Sequence, residues 1–181
     1  MSGRTRPRVV LVGPMGAGKT TVGRLLAQAW ATELRDTDRD VEETEGRLIS
    51  DIFVDSGEEH FRALERAAVV AALGEHRGVL ALGGGAVLDR ETRAVLRDHR
   101  VVFLHVGLSD AVKRVGLGSA RPLLLGNVRA RVKALLDERL AVYQEVAEIV
   151  VETDGRTAQE VADDVRDRVE RAEAAAGEDR A

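Results

Sequence analysis

Short apolar runs alternate with longer segments of helical spacing along this chain. The runs predict strands at Val9–Val12, Val79–Leu82, Val101–Val106 and Ile149–Val151, with a shorter candidate at Glu33–Arg35. Between them, apolar residues recur at intervals of three and four, which is typical of amphipathic helices. Strands that alternate with helices predict an α/β fold with a parallel sheet.

Two polar patterns predict where helices begin. Ser56-Gly57-Glu58-Glu59 has the form of a capping box and precedes an apolar helical pattern that starts at Phe61. Residues 157–160, Thr-Ala-Gln-Glu, form a second capping box after the last predicted strand. In this motif the hydroxyl and the acidic side chain each accept a hydrogen bond from the other residue's backbone N–H. We expect a helix to begin at each pattern.

Residues 13–20, Gly-Pro-Met-Gly-Ala-Gly-Lys-Thr, form a complete G-x-x-x-x-G-K-[ST] phosphate-binding loop. The loop lies between the first predicted strand and a helical segment, as the motif requires. Its glycines let backbone N–H groups surround phosphate oxygens, Lys19 can reach the terminal phosphates, and the Thr20 hydroxyl can ligate magnesium. An ordinary glycine-rich turn is the alternative. The Lys-Thr ending and the flanking elements favour a nucleoside triphosphate site.

Composition narrows the classes of protein that fit. The chain has 181 residues, enough for one domain with a substantial core. It has no cysteine, which excludes disulfides and thiolate metal sites and fits a reducing cytoplasm. A net charge of −4, with three Phe, one Trp and one Tyr, argues against a nucleic-acid partner. No apolar run approaches the ~20 residues of a membrane span, so we expect a cytoplasmic protein with no membrane partner.

Two carboxylates, Asp36 and Asp38, follow the second predicted strand. Ligands of parallel α/β sheets bind outside the carboxyl ends of the strands, so these side chains can face the phosphate-binding loop. There they could share the tasks of holding magnesium and of aiming an acceptor hydroxyl at the γ-phosphate. The alternative is structural, with Asp38 as the cap of a helix that begins at Arg39.

Two further patterns allow both a structural and a functional interpretation. Arg62 and Glu65 are three residues apart, so they form either a modest surface pair or a guanidinium clamp for an anionic substrate. Gly83, Gly84 and Gly85 follow the third apolar strand, where the absence of side chains lets backbone amides approach a ligand. A flexible turn is the competing explanation, but fewer glycines would serve that purpose.

Several arginines lie late in the chain. Arg121 stands beside Pro122 within the glycine-bounded segment 116–126, which predicts a hinged lid over the nucleotide, although a plain surface loop is the alternative. Such an arginine can neutralise charge on the transferred phosphoryl group. Arg114 precedes this segment, Arg139 lies on the helix after it, and Arg156 follows the last strand.

Taken together, these motifs resemble the shikimate kinase family, small relatives of the nucleoside monophosphate kinases. The resemblance rests on GPMGAGKTTVGRLLA, RDTDRDVEETEGRLISDIFVDSGEEHFRALE, LALGGGAV, ARPLL and ERLAVY, which occur in the family's order. It implies a three-layer P-loop kinase fold whose five parallel strands run in the order 2-3-1-4-5. It also implies Mg²⁺-dependent transfer of the ATP γ-phosphoryl group to the 3-hydroxyl of shikimate, a step of chorismate and aromatic amino-acid synthesis.

The resemblance also implies roles for individual residues. Asp38 matches the family's general base, which also contacts substrate hydroxyls, and Asp36 matches a residue that helps to hold magnesium with Thr20. Arg62 and Arg139 match the arginines that bind the shikimate carboxylate, Gly84 matches a glycine whose backbone contacts substrate, and Glu65 would orient Arg62. The expected nucleotide-binding residues are Gly16, Ala17, Gly18, Lys19, Thr20, Thr21, Arg114, Arg121 and Arg156, with Lys19 and Arg121 also catalytic. One departure is Leu140-Ala141-Val142, which lacks the proline often found there in the family.

We therefore expect a single kinase domain over residues 1–181. Its ordered core is expected at 9–169, its lid at about 116–126, and flexible ends at 1–7 and 171–181, in a monomer that binds ATP and shikimate. The nearest alternative is another small-metabolite kinase of the same fold, such as a gluconate kinase, or a nucleoside monophosphate kinase. A regulatory nucleotide-binding switch is the alternative from another class, but the Asn-Lys-x-Asp and Asp-x-x-Gly motifs of GTPases are absent from the sequence.

Overall fold

The computed structural model describes residues 6–116 and 127–178. Its sheet contains β1 (Val9–Val12), β2 (Leu34–Asp36), β3 (Val79–Ala81), β4 (Val101–His105) and β5 (Ile149–Glu152). All neighbouring strands are parallel, and their order is β2-β3-β1-β4-β5. This confirms the predicted fold class and strand order. The carboxyl ends of all five strands consequently meet at one edge of the sheet.

Seven described helices surround the sheet. They are α1 (Lys19–Ala29), α2 (Thr37–Glu45), α3 (Ile49–Glu75), α4 (Arg90–Leu96), α5 (Leu108–Gly116), α6 (Val128–Val146) and α7 (Ala158–Glu178), and a 3₁₀ turn covers Ala86–Leu88. No helix in the described ranges is long and apolar enough to cross a membrane.

The central strand β1 is buried on both faces. Val9 and Leu11 belong to a core cluster with residues of α1, α5 and α7. Val10 and Val12 point the other way and join a cluster with residues of α3, α4 and α6. Successive side chains of a strand alternate between faces, so an apolar strand requires cover on both sides. The helices on one face, the sheet, and the helices on the other face therefore form three layers.

The capping box before α7 forms as the sequence predicts. The Thr157 N–H donates to Glu160 Oε2 at 2.8 Å, and the Glu160 N–H donates to Thr157 Oγ1 at 3.2 Å. The helix continues to Glu178, so the predicted core boundary at residue 169 lies inside it. Near its end, Glu173 accepts two hydrogen bonds from Arg8, at 2.8 and 3.0 Å. This ion pair joins the end of the last helix to the start of β1.

The other predicted helix start corresponds to a break within α3. The helix begins at Ile49, and Gly57 interrupts it with φ +83° and ψ 169°, a conformation that is essentially restricted to glycine. The Ser56 hydroxyl accepts a hydrogen bond from Arg47 Nη2 at 3.0 Å. The part of α3 that carries Phe61 therefore begins directly after Gly57, where the pattern Ser56–Glu59 predicts a helix start, and the part that begins at Ile49 leads straight into it.

Candidate active site at the carboxyl edge of the sheet

The phosphate-binding loop joins β1 to α1 and places its lysine inside the turn. Gly18 has φ +89° immediately before α1, and the first backbone N–H groups of a helix have no partner within it. Lys19 Nζ donates to the carbonyl oxygens of Gly13 at 2.7 Å and Pro14 at 3.1 Å. The ammonium group therefore lies across the loop, where a terminal phosphate resting on the amides would meet it.

Thr20 and Asp36 bring two oxygen ligands together. Thr20 Oγ1 donates to Asp36 Oδ2 at 3.1 Å, and Asp36 also accepts from the Asp38 N–H at 3.0 Å. Asp36 is thus the N-cap of α2. The structural alternative for Asp38 is wrong, because α2 begins at Thr37 and Asp38 is already a helical residue. The Asp38 side chain therefore does not cap α2 and can take part in the active site.

Asp38 is a partly buried carboxylate with an unusual proton affinity. Burial raises its pKa from the ordinary 3.8 to about 6, and the charges of Asp36 and Glu65 add to the effect while Lys19 opposes it. A carboxylate with such a pKa is ionised at neutral pH, yet it holds a proton more readily than an exposed aspartate does. These are the properties that a general base needs.

A buried carboxylate lies between two arginines next to Asp38. Arg62 Nη1 donates to Glu65 Oε2 at 2.7 Å, and Glu65 is only 3% exposed. Burial raises the pKa of Glu65, while the charges of Arg62 and Arg139 oppose that rise. Arg139 is 7% exposed, and its Nε has no hydrogen-bond partner among the described residues. Arg62 also donates to the exposed Glu58 at 3.3 Å, so the two guanidinium groups face one buried and one exposed carboxylate. An anion would replace Glu58 at Arg62 and use the donor left on Arg139.

The triple-glycine turn of residues 83–85 is the point where these charged groups meet. A Cβ atom on Gly83 would overlap Asp38 and lie 2.7 Å from Glu65 Oε1, and one on Gly85 would overlap the guanidinium of Arg62. At Gly84 the nearest atoms, Arg139 Nη1 and the Met15 nitrogen, would be 3.6 Å away. The protein's own side chains therefore use the room at Gly83 and Gly85. Gly84 faces both the second arginine and the phosphate-binding loop.

Arg114 and Arg156 border a cavity of about 210 Å³ that adjoins the phosphate-binding loop. Arg114 donates to the Gly16 carbonyl and to the Thr153 carbonyl, each at 3.0 Å. Arg156 donates to the Glu152 carbonyl at 2.9 Å and to Asp164 at 3.0 Å. Other residues that line this cavity are Ala17, Gly18, Thr21 and Thr153. The structure thus brings the predicted nucleotide residues of this region together and adds Thr153.

Two more residues of the site were missed by sequence reasoning. The Gly83 N–H donates to Thr37 Oγ1 at 3.2 Å, and the Tyr143 hydroxyl donates to the Gly84 carbonyl. Thr37 stands between the two aspartates. Tyr143 lies one helical turn after Arg139. The spacing of Thr37 and Tyr143 from the predicted site residues could therefore have identified both of them.

The predicted lid at 116–126, which includes Arg121, lies outside the described residues except for Gly116. Its role as a lid stays a prediction.

The parallel sheet carries a phosphate-binding loop, and an anion clamp formed by Arg62 and Arg139 lies opposite that loop. This combination defines a P-loop kinase that acts on a small molecule. A family model described as shikimate kinase matches residues 15–170. The chain belongs to the shikimate kinase family, whose members are ATP-dependent phosphotransferases.

Individual relatives agree with this assignment. A shikimate kinase of Thermobifida fusca is 58% identical over 159 residues, which cover 88% of this chain and 92% of that protein. The solved structure of the Acinetobacter baumannii shikimate kinase in complex with shikimate has a TM-score of 0.86 at 35% identity, covering 91% and 93% of the two chains. A gluconokinase of Sinorhizobium meliloti is 19% identical with a TM-score of 0.57 over 94% and 95%, a likeness of fold alone.

Proposed function

We propose that this protein transfers the γ-phosphoryl group of ATP to the 3-hydroxyl of shikimate, which yields 3-phosphoshikimate and ADP. The observation that carries the proposal is the cluster of Arg62 with the buried Glu65 and Arg139, which faces the phosphate-binding loop across Gly84. Shikimate is a small polyol with one carboxylate, and this cluster supplies planar donors for that carboxylate. The similar Acinetobacter baumannii enzyme, solved in complex with shikimate, supports the choice of acceptor.

Each part of the reaction has a residue suited to it. The loop amides of Gly16, Ala17 and Gly18 and the ammonium of Lys19 bind the phosphates, while Arg62 and Arg139 hold the acceptor by its carboxylate. Asp38 accepts the proton of the attacking hydroxyl as the new O–P bond forms. The bond between the γ-phosphorus and the bridging oxygen breaks, and ADP leaves with that oxygen.

Thr20 and Asp36 are the residues that would hold Mg²⁺. Their hydroxyl and carboxylate oxygens lie 3.1 Å apart, and both are hard ligands of the kind that this ion prefers. Within the described ranges, no group of three or more His, Asp or Glu side chains could hold a metal ion alone. That fits an ion bound by one or two protein oxygens together with water and phosphates. When bound, Mg²⁺ neutralises charge that develops on the phosphates.

The adenosine part of ATP would occupy the cavity between Arg114 and Arg156. This cavity borders Ala17 and Gly18 of the phosphate-binding loop, and Thr21 lies on its wall. The guanidinium of Arg114 is held by backbone carbonyls, so its planar face is fixed next to the cavity. The role of Arg121 at the ATP phosphates remains a prediction from the sequence.

A coupled assay of ADP release tests the proposal, with shikimate, gluconate and nucleoside monophosphates offered side by side. We expect turnover with shikimate alone, because only shikimate combines the carboxylate and ring hydroxyls that the arginines and Asp38 can bind. Lys19→Met is the matched control, and we expect it to lose turnover by roughly 100-fold or more while the fold persists. Turnover with gluconate and none with shikimate would overturn the proposed acceptor.

A further inference from the structure

Two hydroxyl groups hold the triple-glycine turn from opposite sides. Thr37 Oγ1 accepts a hydrogen bond from the Gly83 N–H, and the Tyr143 hydroxyl donates to the Gly84 carbonyl. Thr37 begins α2 and Tyr143 lies in α6, so the turn is tied to two separate parts of the fold. A turn of three glycines has no side chains of its own to restrict its backbone. Its orientation therefore depends on bonds of this kind.

We propose that Tyr143 and Thr37 are positioning residues that orient the triple-glycine turn toward the acceptor substrate. The inference rests on the proposed function, because the acceptor is the one argued above. Neither hydroxyl needs to touch the substrate. Each acts through the peptide group that it holds, and the Tyr143 hydroxyl also interacts with the side chain of Arg139.

The surroundings of Tyr143 make it a rigid donor. Its side chain is 1% exposed, and its ring stacks on Phe103 with a centroid distance of 4.9 Å and an interplanar angle of 21°. Burial raises the pKa of Tyr143 to about 12, so the phenol stays protonated at working pH. Among the described residues all peptide bonds are trans. Because C=O and N–H point opposite ways in a trans peptide, a fixed Gly84 carbonyl also fixes the direction of the Gly85 N–H.

Thr37 restrains the triple-glycine turn on the side that faces Asp38 and Glu65. It is fully buried between Asp36 and Asp38, and it binds Gly83 at the position packed against the carboxylates of Asp38 and Glu65. Tyr143 instead shares a face of α6 with Arg139, four residues earlier. The two hydroxyls thus set the turn relative to the proposed base on one side and the anion clamp on the other. A small rotation of the turn would move the backbone relative to both groups.

The test compares Tyr143→Phe, which keeps the ring, with Thr37→Val, which keeps the shape of the side chain. We expect the KM for shikimate to rise about 3- to 10-fold in each, the usual range for one net hydrogen bond, and the KM for ATP to stay within about two-fold. Thr37→Ser restores the hydroxyl and should restore the shikimate KM. Val165→Ala, a cavity in the core around α7, is the control for lost stability and should leave both KM values unchanged.

A second measurement needs no substrate. Amide hydrogen exchange of ¹⁵N-glycine-labelled protein reports Gly83, Gly84 and Gly85 directly, and we expect faster exchange there in Tyr143→Phe and Thr37→Val but not in Val165→Ala. If Tyr143→Phe does not fold, the Thr37→Val and Thr37→Ser pair decides the question alone.

The outcomes separate this inference from the proposed function. An unchanged shikimate KM in folded variants overturns the inference, and so does an equal rise in both KM values, which would indicate general damage. If the wild-type protein does not phosphorylate shikimate, the proposed function fails instead. The glycine exchange rates then decide by themselves whether the two hydroxyls hold the turn.

Discussion

At the scale of single residues, Asp38 shows how position changes the chemistry of a common side chain. An exposed aspartate is a weak base, but Asp38 is partly buried beside Asp36 and Glu65, and its pKa is raised to about 6. Lys19 limits the rise because its charge favours the ionised form. As a result, the Asp38 carboxylate is charged at neutral pH but takes up a proton when the pH falls only slightly below neutral.

The first prediction concerns the pH dependence of catalysis. Since the proposed base works only when it is ionised, we expect kcat/KM for shikimate to fall as the pH is lowered through about 6. Initial rates from about pH 5 to about pH 8, roughly one unit below to two units above the pKa of Asp38, would reveal the acid limb. A profile that stays flat down to about pH 5 would contradict a role for Asp38 as the base.

The second prediction concerns stability. A carboxyl whose pKa is higher in the folded state takes up more protons there, so the stability of the folded protein falls as pH rises from about 4 to about 6. Asp38→Asn removes this penalty. We expect it to raise the free energy of unfolding at pH 7.5 by about 1–2 kcal/mol, and by much less at pH 4. Chemical denaturation, followed by the fluorescence of the single tryptophan, measures the difference.

Asp40→Asn in the same helix is the matched control for Asp38→Asn. Asp40 accepts a hydrogen bond from Arg35 at 2.7 Å, so its replacement should lower the stability at neutral pH. Equal effects of the two substitutions would contradict the argument from the raised pKa of Asp38.

The third prediction separates charge from geometry in the anion clamp. Lysine keeps the charge of arginine but loses the planar pair of donors, so Arg62→Lys or Arg139→Lys should raise the KM for shikimate by about 10-fold or more. Steady-state kinetics with both substrates checks this, with Arg166→Lys as the control, because Arg166 of α7 is partly exposed and pairs with Asp163. Unchanged kinetics would remove the substituted arginine from the site.

At the scale of elements, α3 carries Arg62 and Glu65 just beyond its break at Gly57. The backbone of Gly57 has φ +83°, so any other residue is strained there even though a Cβ atom would meet nothing within 4 Å. Gly74, near the end of the same helix, also has open space around its Cβ position, but its backbone is ordinary helix. The two glycines therefore differ in conformation and not in packing.

The fourth prediction uses this contrast. Gly57→Ala should lower the free energy of unfolding by about 1–3 kcal/mol, because alanine does not tolerate the backbone conformation. Gly74→Ala should raise it by about 0.5–1 kcal/mol, because alanine loses less conformational entropy in a helix. Urea denaturation of both variants provides the comparison. The same sign for both would refute the claim that the break in α3 depends on the glycine conformation.

At the scale of the whole molecule, the exposed apolar side chains bear on the oligomeric state. Among the described residues, the large apolar side chains that are exposed are Leu48, Val54, Val70, Val95, Leu140 and Val150. Val70 and Val95 line one surface cavity, and the others lie in or next to α3, α6 and β5. Scattered apolar residues of this kind are normal on the surface of a monomer.

The fifth prediction is therefore a monomer in solution. Sedimentation equilibrium should give a mass near 19.6 kDa that does not change with protein concentration or on addition of ATP and shikimate. A mass that increases with concentration would indicate that an interface between copies forms on one of these faces.

The sequence by itself determined the class of fold, the strand order through its family resemblance, and the positions of the phosphate-binding loop and of the capping box before α7. These features depend on local spacing and on backbone rules that act within a few residues. The pattern at residues 56–59 also marks a helix start, but it did not reveal that another helical segment, which begins at Ile49, leads straight into it.

Only the tertiary structure decided which of the candidate side chains act on one another. Asp36 became the cap and left Asp38 free to approach Glu65, and the glycines at 83 and 85 proved to make room for charged side chains of the protein itself. Thr37 and Tyr143 reach the same turn from residues that are far apart in the chain. Burial and the sum of neighbouring charges set the pKa of Asp38, and both arise only when the sheet brings its strand ends together.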